Sequence, residues 1–172
     1  MPDEDPQDPL RAVEALHARV DREAARLAAH HAERLTCHRG CSGCCQDGLT
    51  VFEVEAERLR RGAPEVLAGE PGPEGGCAFL DEAGACRVYA LRPFVCRTQG
   101  LPLRWFLEDE EGELVEERGI CELNAEGPPL EELDDDRIWT LGTVELELGR
   151  LQRKATPGQE PRVALRSLFG AD

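Results

Sequence analysis

An α+β fold is predicted: a small cysteine-rich core flanked by two longer helices. Three observations carry that expectation. Apolar residues recur at helical spacing in two separated stretches. Short β-branched and hairpin-like runs, broken by Gly and Pro, lie between them. All eight cysteines of the 172-residue chain fall between positions 37 and 121, in segments too polar to form an oily core unaided.

Residues 1–9 are acidic and Pro-rich, and are expected to be disordered. The first helix is expected over 10–36, with Leu10, Val13, Leu16, Val20 and Leu27 on one face and Pro9 at its start. His17, His30 and His31 lie in that pattern and are expected at a partly exposed surface. "LTVF", 49–52, reads as a strand or the approach to a helix. "EVEAERLRRG", 53–62, reads as a short helix stopped by Gly62. "GEPGPEGG", 69–76, is a loop, and "RWFL" and "ELV" read as a hairpin turning at "DEEG". The second long helix is expected over 134–153, with the Asp run 134–136 as its cap and Ile138, Leu141, Leu148 and Leu151 on one face. The resulting domain organisation is an acidic N-terminus over 1–9 and a helix plus cysteine-cluster unit over 10–125. An acidic linker and C-terminal helix over 126–155 and a partly disordered tail over 156–172 follow.

Aromatic residues make up only 5% of the chain and charged residues 32%, so its core needs reinforcement. The net charge of −15 excludes a nucleic-acid backbone and an anionic membrane surface as partners, and leaves room for a basic protein partner. The opening "MPDEDPQDPL" lacks the basic and apolar regions of a secretory leader, and no run of about 18 apolar residues occurs. A cytoplasmic location is therefore expected, where structural disulfides are rare.

Four of the cysteines sit in "CHRGCSGCC", 37–45. A disulfide framework is compatible with an even count, but the adjacent Cys44 and Cys45 would form a strained pair. A dithiol couple at Cys41-Ser42-Gly43-Cys44 would normally open a helix after a strand, whereas here a long helical pattern comes first. Packing as small hydrophobes does not explain four thiols among Gly and polar residues. Metal binding accounts for all eight, Cys37, Cys41, Cys44, Cys45, Cys77, Cys86, Cys96 and Cys121. Thiolates suit Zn²⁺ and iron–sulfur clusters, and glycine-rich loops let sulfurs converge. The predicted core is thus metal-bound. Adjacent Cys44 and Cys45 point in different directions and can serve two metals. Four thiolates around either centre leave a charge of about −2, which Arg39, Arg87, Arg92 and Arg97 are placed to offset unless they pair with surface Asp and Glu. His38 is an alternative ligand beside Cys37.

"CHRGCSGCC" followed by "C…CRVY…RP…CR" resembles the YkgJ-type cysteine-cluster family, described by a C-x-x-C-x-x-C-C signature. The resemblance covers about residues 35–125 and rests on the eight cysteines together with Tyr89, Arg92, Pro93 and Arg97. The first gap here is three residues where the family has two. The resemblance implies a zinc- or iron-chelating domain, with Pro93 aiming Cys96 and Tyr89 beside the cluster; as a residue type, Tyr89 reads as a core aromatic.

The expected function is metal binding, zinc or an iron–sulfur cluster, for structure or chelation. An iron–sulfur-dependent redox enzyme, a thiol-disulfide oxidoreductase and an acidic interaction adaptor are the alternatives. No P-loop, dinucleotide fingerprint or nucleophile–base motif occurs.

Overall fold

The computed structural model describes residues 8–158 and 162–170. The fold is α+β, as expected. Helix α1, Pro9–His30, is capped by Asp8, whose side chain accepts from Leu10 N at 3.1 Å. Strand β1, Thr50–Phe52, runs directly into α2, Glu53–Gly62, so "LTVF" is both strand and helix lead-in. Two single-turn helices follow, α3, Pro64–Leu67, and α4, Phe94–Arg97. The hairpin forms as expected from β2, Leu103–Glu108, and β3, Leu114–Gly119. Strand β4, Trp139–Thr140, helix α5, Thr143–Ala155, and strand β5, Arg162–Ala164, complete the order. One sheet pairs β1 with β5 antiparallel; the other has the order β3-β2-β4, with β4 parallel to β2.

Two helix boundaries differ from expectation. Helix α1 stops at His30 instead of 36 because tertiary partners pull the following residues off its axis. The His31 ring lies 2.6 Å from Arg137 O, and the Arg34 guanidinium donates to the carbonyls of Asn124, Ala125 and Pro128. Helix α5 starts at Thr143 instead of 134. Gly142 has φ of 102°, a turn that breaks the helical path, and its N–H donates to Glu145 at 2.8 Å. Asp135 pairs with Arg104 and does not cap a helix. Residues 162–170, expected as tail, are integral: β5 pairs with β1, and Leu165 and Leu168 are buried. Most of the acidic N-terminus, 1–7, lies outside the described residues.

There are two apolar cores. The helical one joins Val13, Leu16, Val20 and Leu27 of α1 with Val54, Phe94, Trp139, Val144 and Leu148. The other joins Val51, Ala56 and Leu59 with Cys77, Phe79, Leu80, Val88, Leu165 and Leu168. Helix α2 divides them, turning Val54 to one and Ala56 and Leu59 to the other. Its buried Glu55 faces the helical core: Oε1 accepts from Phe94 N at 2.7 Å and lies 2.9 Å from His17 Nε2. His17 and His31 are therefore buried and not at the surface. No described helix is long and apolar enough to cross a membrane.

Candidate metal centre

The cysteine loop turns twice, with Cys41 N bonding His38 O at 3.0 Å and Cys45 N bonding Ser42 O at 2.8 Å. Gly40, at φ of 89°, makes the first of these turns possible. Cys77 N donates to Cys45 O at 2.9 Å, so the loop is stitched to a second cysteine-bearing segment. That segment folds back at Asp81, whose carboxylate accepts from Ala83 N and Ala85 N at 2.9 and 2.8 Å. Leu80 then bridges Cys86, which returns Cys86 towards Cys77. Cys96 comes from α4, directly after Pro93, and its N–H donates to Pro93 O at 3.0 Å. Three stretches of chain thus carry Cys45, Cys77, Cys86 and Cys96, of which Cys45, Cys77 and Cys86 pack into or against the second core.

These thiols feel one another. Burial first, and then the neighbouring Cys77, Cys45 and Cys86, push the Cys96 thiol up to about 12. Burial, with Cys44, Cys77 and Cys86, pushes Cys45 up to about 12 as well. Cys86 is also raised, chiefly by burial and then by Cys77, while Arg92 and Arg87 act against the rise. Desolvation raises Cys44 too, and its weaker couplings run to Cys41 and Cys37. All eight cysteines are free thiols. Neutral thiols do not draw together, and among the described residues no three Cys, His, Asp or Glu side chains close around a point that would enclose an ion. A soft cation bound by such a set would favour thiolate over thiol. The donor chemistry, soft sulfur from glycine-rich turns, suits zinc or iron.

The chain matches over residues 36–122 the family described as "CxxCxxCC: Putative zinc- or iron-chelating domain". It belongs to that family. No curated protein and no solved structure matches it. All eight cysteines lie within the matched CxxCxxCC domain, whereas α1, α5 and β5 lie outside it.

The expected supporting residues divide. Arg87 donates to Ala78 O at 2.8 Å and covers the Phe169 ring, and Arg92 stacks 4.0 Å over Tyr89. Both charges reach Cys86. Arg97 is buried against Asp21 of α1, with Nη1 at 2.5 Å from Oδ2. Arg39 and His38 are exposed, and the His38 ring lies 2.9 Å from Arg39 O. Tyr89 is 66% exposed, so it is not a core aromatic; the aliphatic and guanidinium parts of Arg92 cover its face instead.

Two residues of the CxxCxxCC domain's surroundings were not anticipated. Asn124, fully buried, accepts from Thr36 N at 2.8 Å and donates to Gly100 O at 2.9 Å and to Cys37 Sγ at 3.3 Å. It binds the start of the cysteine loop to the segment after Cys121. A Cβ on Gly100 would lie 2.8 Å from Cys37 Sγ, so only glycine admits this approach. Arg166 grips Asp47 through Nε at 2.9 Å and donates to the carbonyls of Gly72, Pro73 and Gly76. It clamps the first cysteine segment to the second, with its charge in reach of Cys77. A polar residue three positions after a cysteine is a faint sequence signal for Asn124. Arg166 had none, because its partners are mostly backbone carbonyls far away in the chain.

Proposed function

We propose that the chain holds metal in two adjoining thiolate sets, Cys45, Cys77, Cys86 and Cys96 in one, and Cys37, Cys41, Cys44 and Cys121 in the other. The observation that carries this reading is the coupling pattern. After burial, Cys96 is raised by Cys77, Cys45 and Cys86, and Cys45 by Cys44, Cys77 and Cys86, while Cys44 is raised by Cys41 and Cys37. The backbone bond from Cys77 N to Cys45 O and the return of Cys86 beside Leu80 support the first set. Asn124 supports the second set by tying Cys37 to the turn that follows Cys121. In this reading the adjacent Cys44 and Cys45, which share a side-chain hydrogen bond, serve one set each. Arg87, Arg92 and Arg166 offset the charge of about −2 that four thiolates leave on either kind of centre.

Zinc there would act as a cross-link, and an iron–sulfur cluster would add electron transfer. A dithiol exchange role fits less well. It needs a thiol held as thiolate, usually at a helix start, whereas Cys44 is raised and sits in a turn. Two cavities among the described residues, of about 580 and 280 Å³, are lined by residues of α5, α2 and the start of α1, and no cysteine borders either.

The test is metal, iron and acid-labile sulfide content of protein purified without oxygen, for the wild type and for Cys96→Ser and Cys41→Ser. Each substitution is expected to remove one set's metal and spare the other's. Loss of all metal in either variant would merge the sets into one centre. A metal-free, folded wild type would end the metal reading.

A further inference from the structure

Among the described residues, seven large hydrophobic side chains stand exposed, and four of them, Phe106, Leu107, Leu114 and Val115, belong to the β2–β3 hairpin. Leu114 is 72% exposed. Strand β3 ends its sheet, and among the described residues no strand covers its outer edge. The bond from Asp109 N to Glu113 O, 2.9 Å, sets the alternation of the antiparallel ladder. Leu107–Val115 and Trp105–Glu117 are then the hydrogen-bonded pairs, and Leu114 and Glu116 turn their N–H and C=O outward. The far side of β2 obeys the same alternation, for Arg104 O accepts from Leu141 N at 2.9 Å.

The edge is also strongly charged. Seven of the ten residues 108–117 are Asp or Glu, and none is Lys or Arg. Free edges are commonly guarded by charge, chiefly lysine. An acidic guard repels a second copy, since it would set carboxylates against carboxylates on chains of net charge −15. The same guard attracts cations. Open backbone groups, an apolar stripe and acidic flanks together describe a receptor for one kind of chain.

We infer that the outer edge of β3 docks a basic, extended segment of another protein as an added strand. Backbone bonds at Leu114 and Glu116 supply register, the Leu114 side chain takes an apolar residue on one face of the strand, and Glu113 and Glu117 meet cations on the other. This inference does not depend on the metal.

The probe is a capped peptide of alternating Lys and Val, about the length of β3, titrated by fluorescence anisotropy; a Glu-Val peptide and a helical Lys-Ala peptide are the controls. The Lys-Val peptide alone is expected to bind, more weakly as salt rises, and to slow amide exchange at Leu114 and Glu116. Leu114→Pro removes an outward N–H and an apolar side chain while leaving the bonds to β2, and is expected to weaken binding about tenfold. Glu113→Lys/Glu117→Lys, which leaves the backbone intact, is expected to do the same. Three results would each overturn the inference: no binding, equal binding of the helical peptide, or binding unchanged in both variants. So would a wild type that sediments as a dimer with this edge already protected.

Discussion

The helical core buries Val13, Leu16, Val20, Leu27 and Leu148, carried on helices whose backbone bonds are internal, together with Trp139 of β4. The cysteine-facing core buries Phe79, Leu80, Val88, Leu165 and Leu168 against Ala56 and Leu59 of α2, and the segment 69–88, which carries Cys77 and Cys86, lies in turns and loops. Its shape depends on single contacts: Cys77 to Cys45, Asp81 across its turn, Arg166 onto three carbonyls. One core closes by apolar area alone. The other is a thin apolar layer with sulfur on one side, of the kind that metal normally completes. Helix α2 is the joint between them.

The sharpest way to break this comparison is to remove the metal. Binding energy at a structural zinc site is folding energy, worth about 10 kcal/mol or more in small zinc domains. Chelation should therefore loosen residues 37–48 and 69–100 and leave α1 and α5 protected, as read by amide hydrogen exchange. If both regions open together, or neither does, the two cores are not energetically distinct.

The two regions also differed in how much of them the sequence revealed. Periodicity found α1 and α2, and alternation around an acidic turn found the hairpin, because those signals are local. It overran α1 past His30 and began α5 too early, since Arg34 on distant carbonyls and Gly142 at positive φ decide those ends. At the cysteines, residue type and spacing single out the expected donors. Which thiols neighbour which depends on the backbone stitching of Cys77 to Cys45 and the return at Asp81, and no spacing encodes that. His17 was read as surface because its buried partners, Glu55 and Arg58, come from α2. Residues 162–170 were read as tail because their strand partner, β1, lies far back in the chain.

A smaller pair of effects sharpens the same comparison. Leu16→Ala empties part of the helical core and should cost about 2–5 kcal/mol in a denaturant titration, with metal content unchanged. Arg166→Ala should do the reverse. It frees the clamp over Gly72, Pro73, Gly76 and Asp47, and should weaken metal retention against a competing chelator about tenfold, with helical protection intact. If each variant disturbs both regions equally, α2 transmits more than it separates.

The gentlest test lies at the joint and uses pH. His17 is almost fully buried. Its Nδ1 accepts from Arg58 Nη1 at 2.6 Å, which leaves Nε2 to donate to Glu55 at 2.9 Å, so the ring is neutral. Burial lowers its pKa below the ordinary 6.5, helped by Arg97 and Arg58 and opposed by Glu55. The unfolded chain thus takes a proton that the folded chain refuses. The stability this gives is present in full above 6.5 and is lost as pH falls through the lowered folded value. Thiolate protonation would weaken a metal centre in the same direction, so the measurement belongs on chelated protein, following α1 exchange between pH 7 and 5. Destabilisation towards pH 5 is expected in the wild type and should flatten in His17→Gln, which keeps a donor for Glu55 but cannot take the proton. An equal slope in both would place the proton elsewhere and leave α1 and α2 without this electrostatic link.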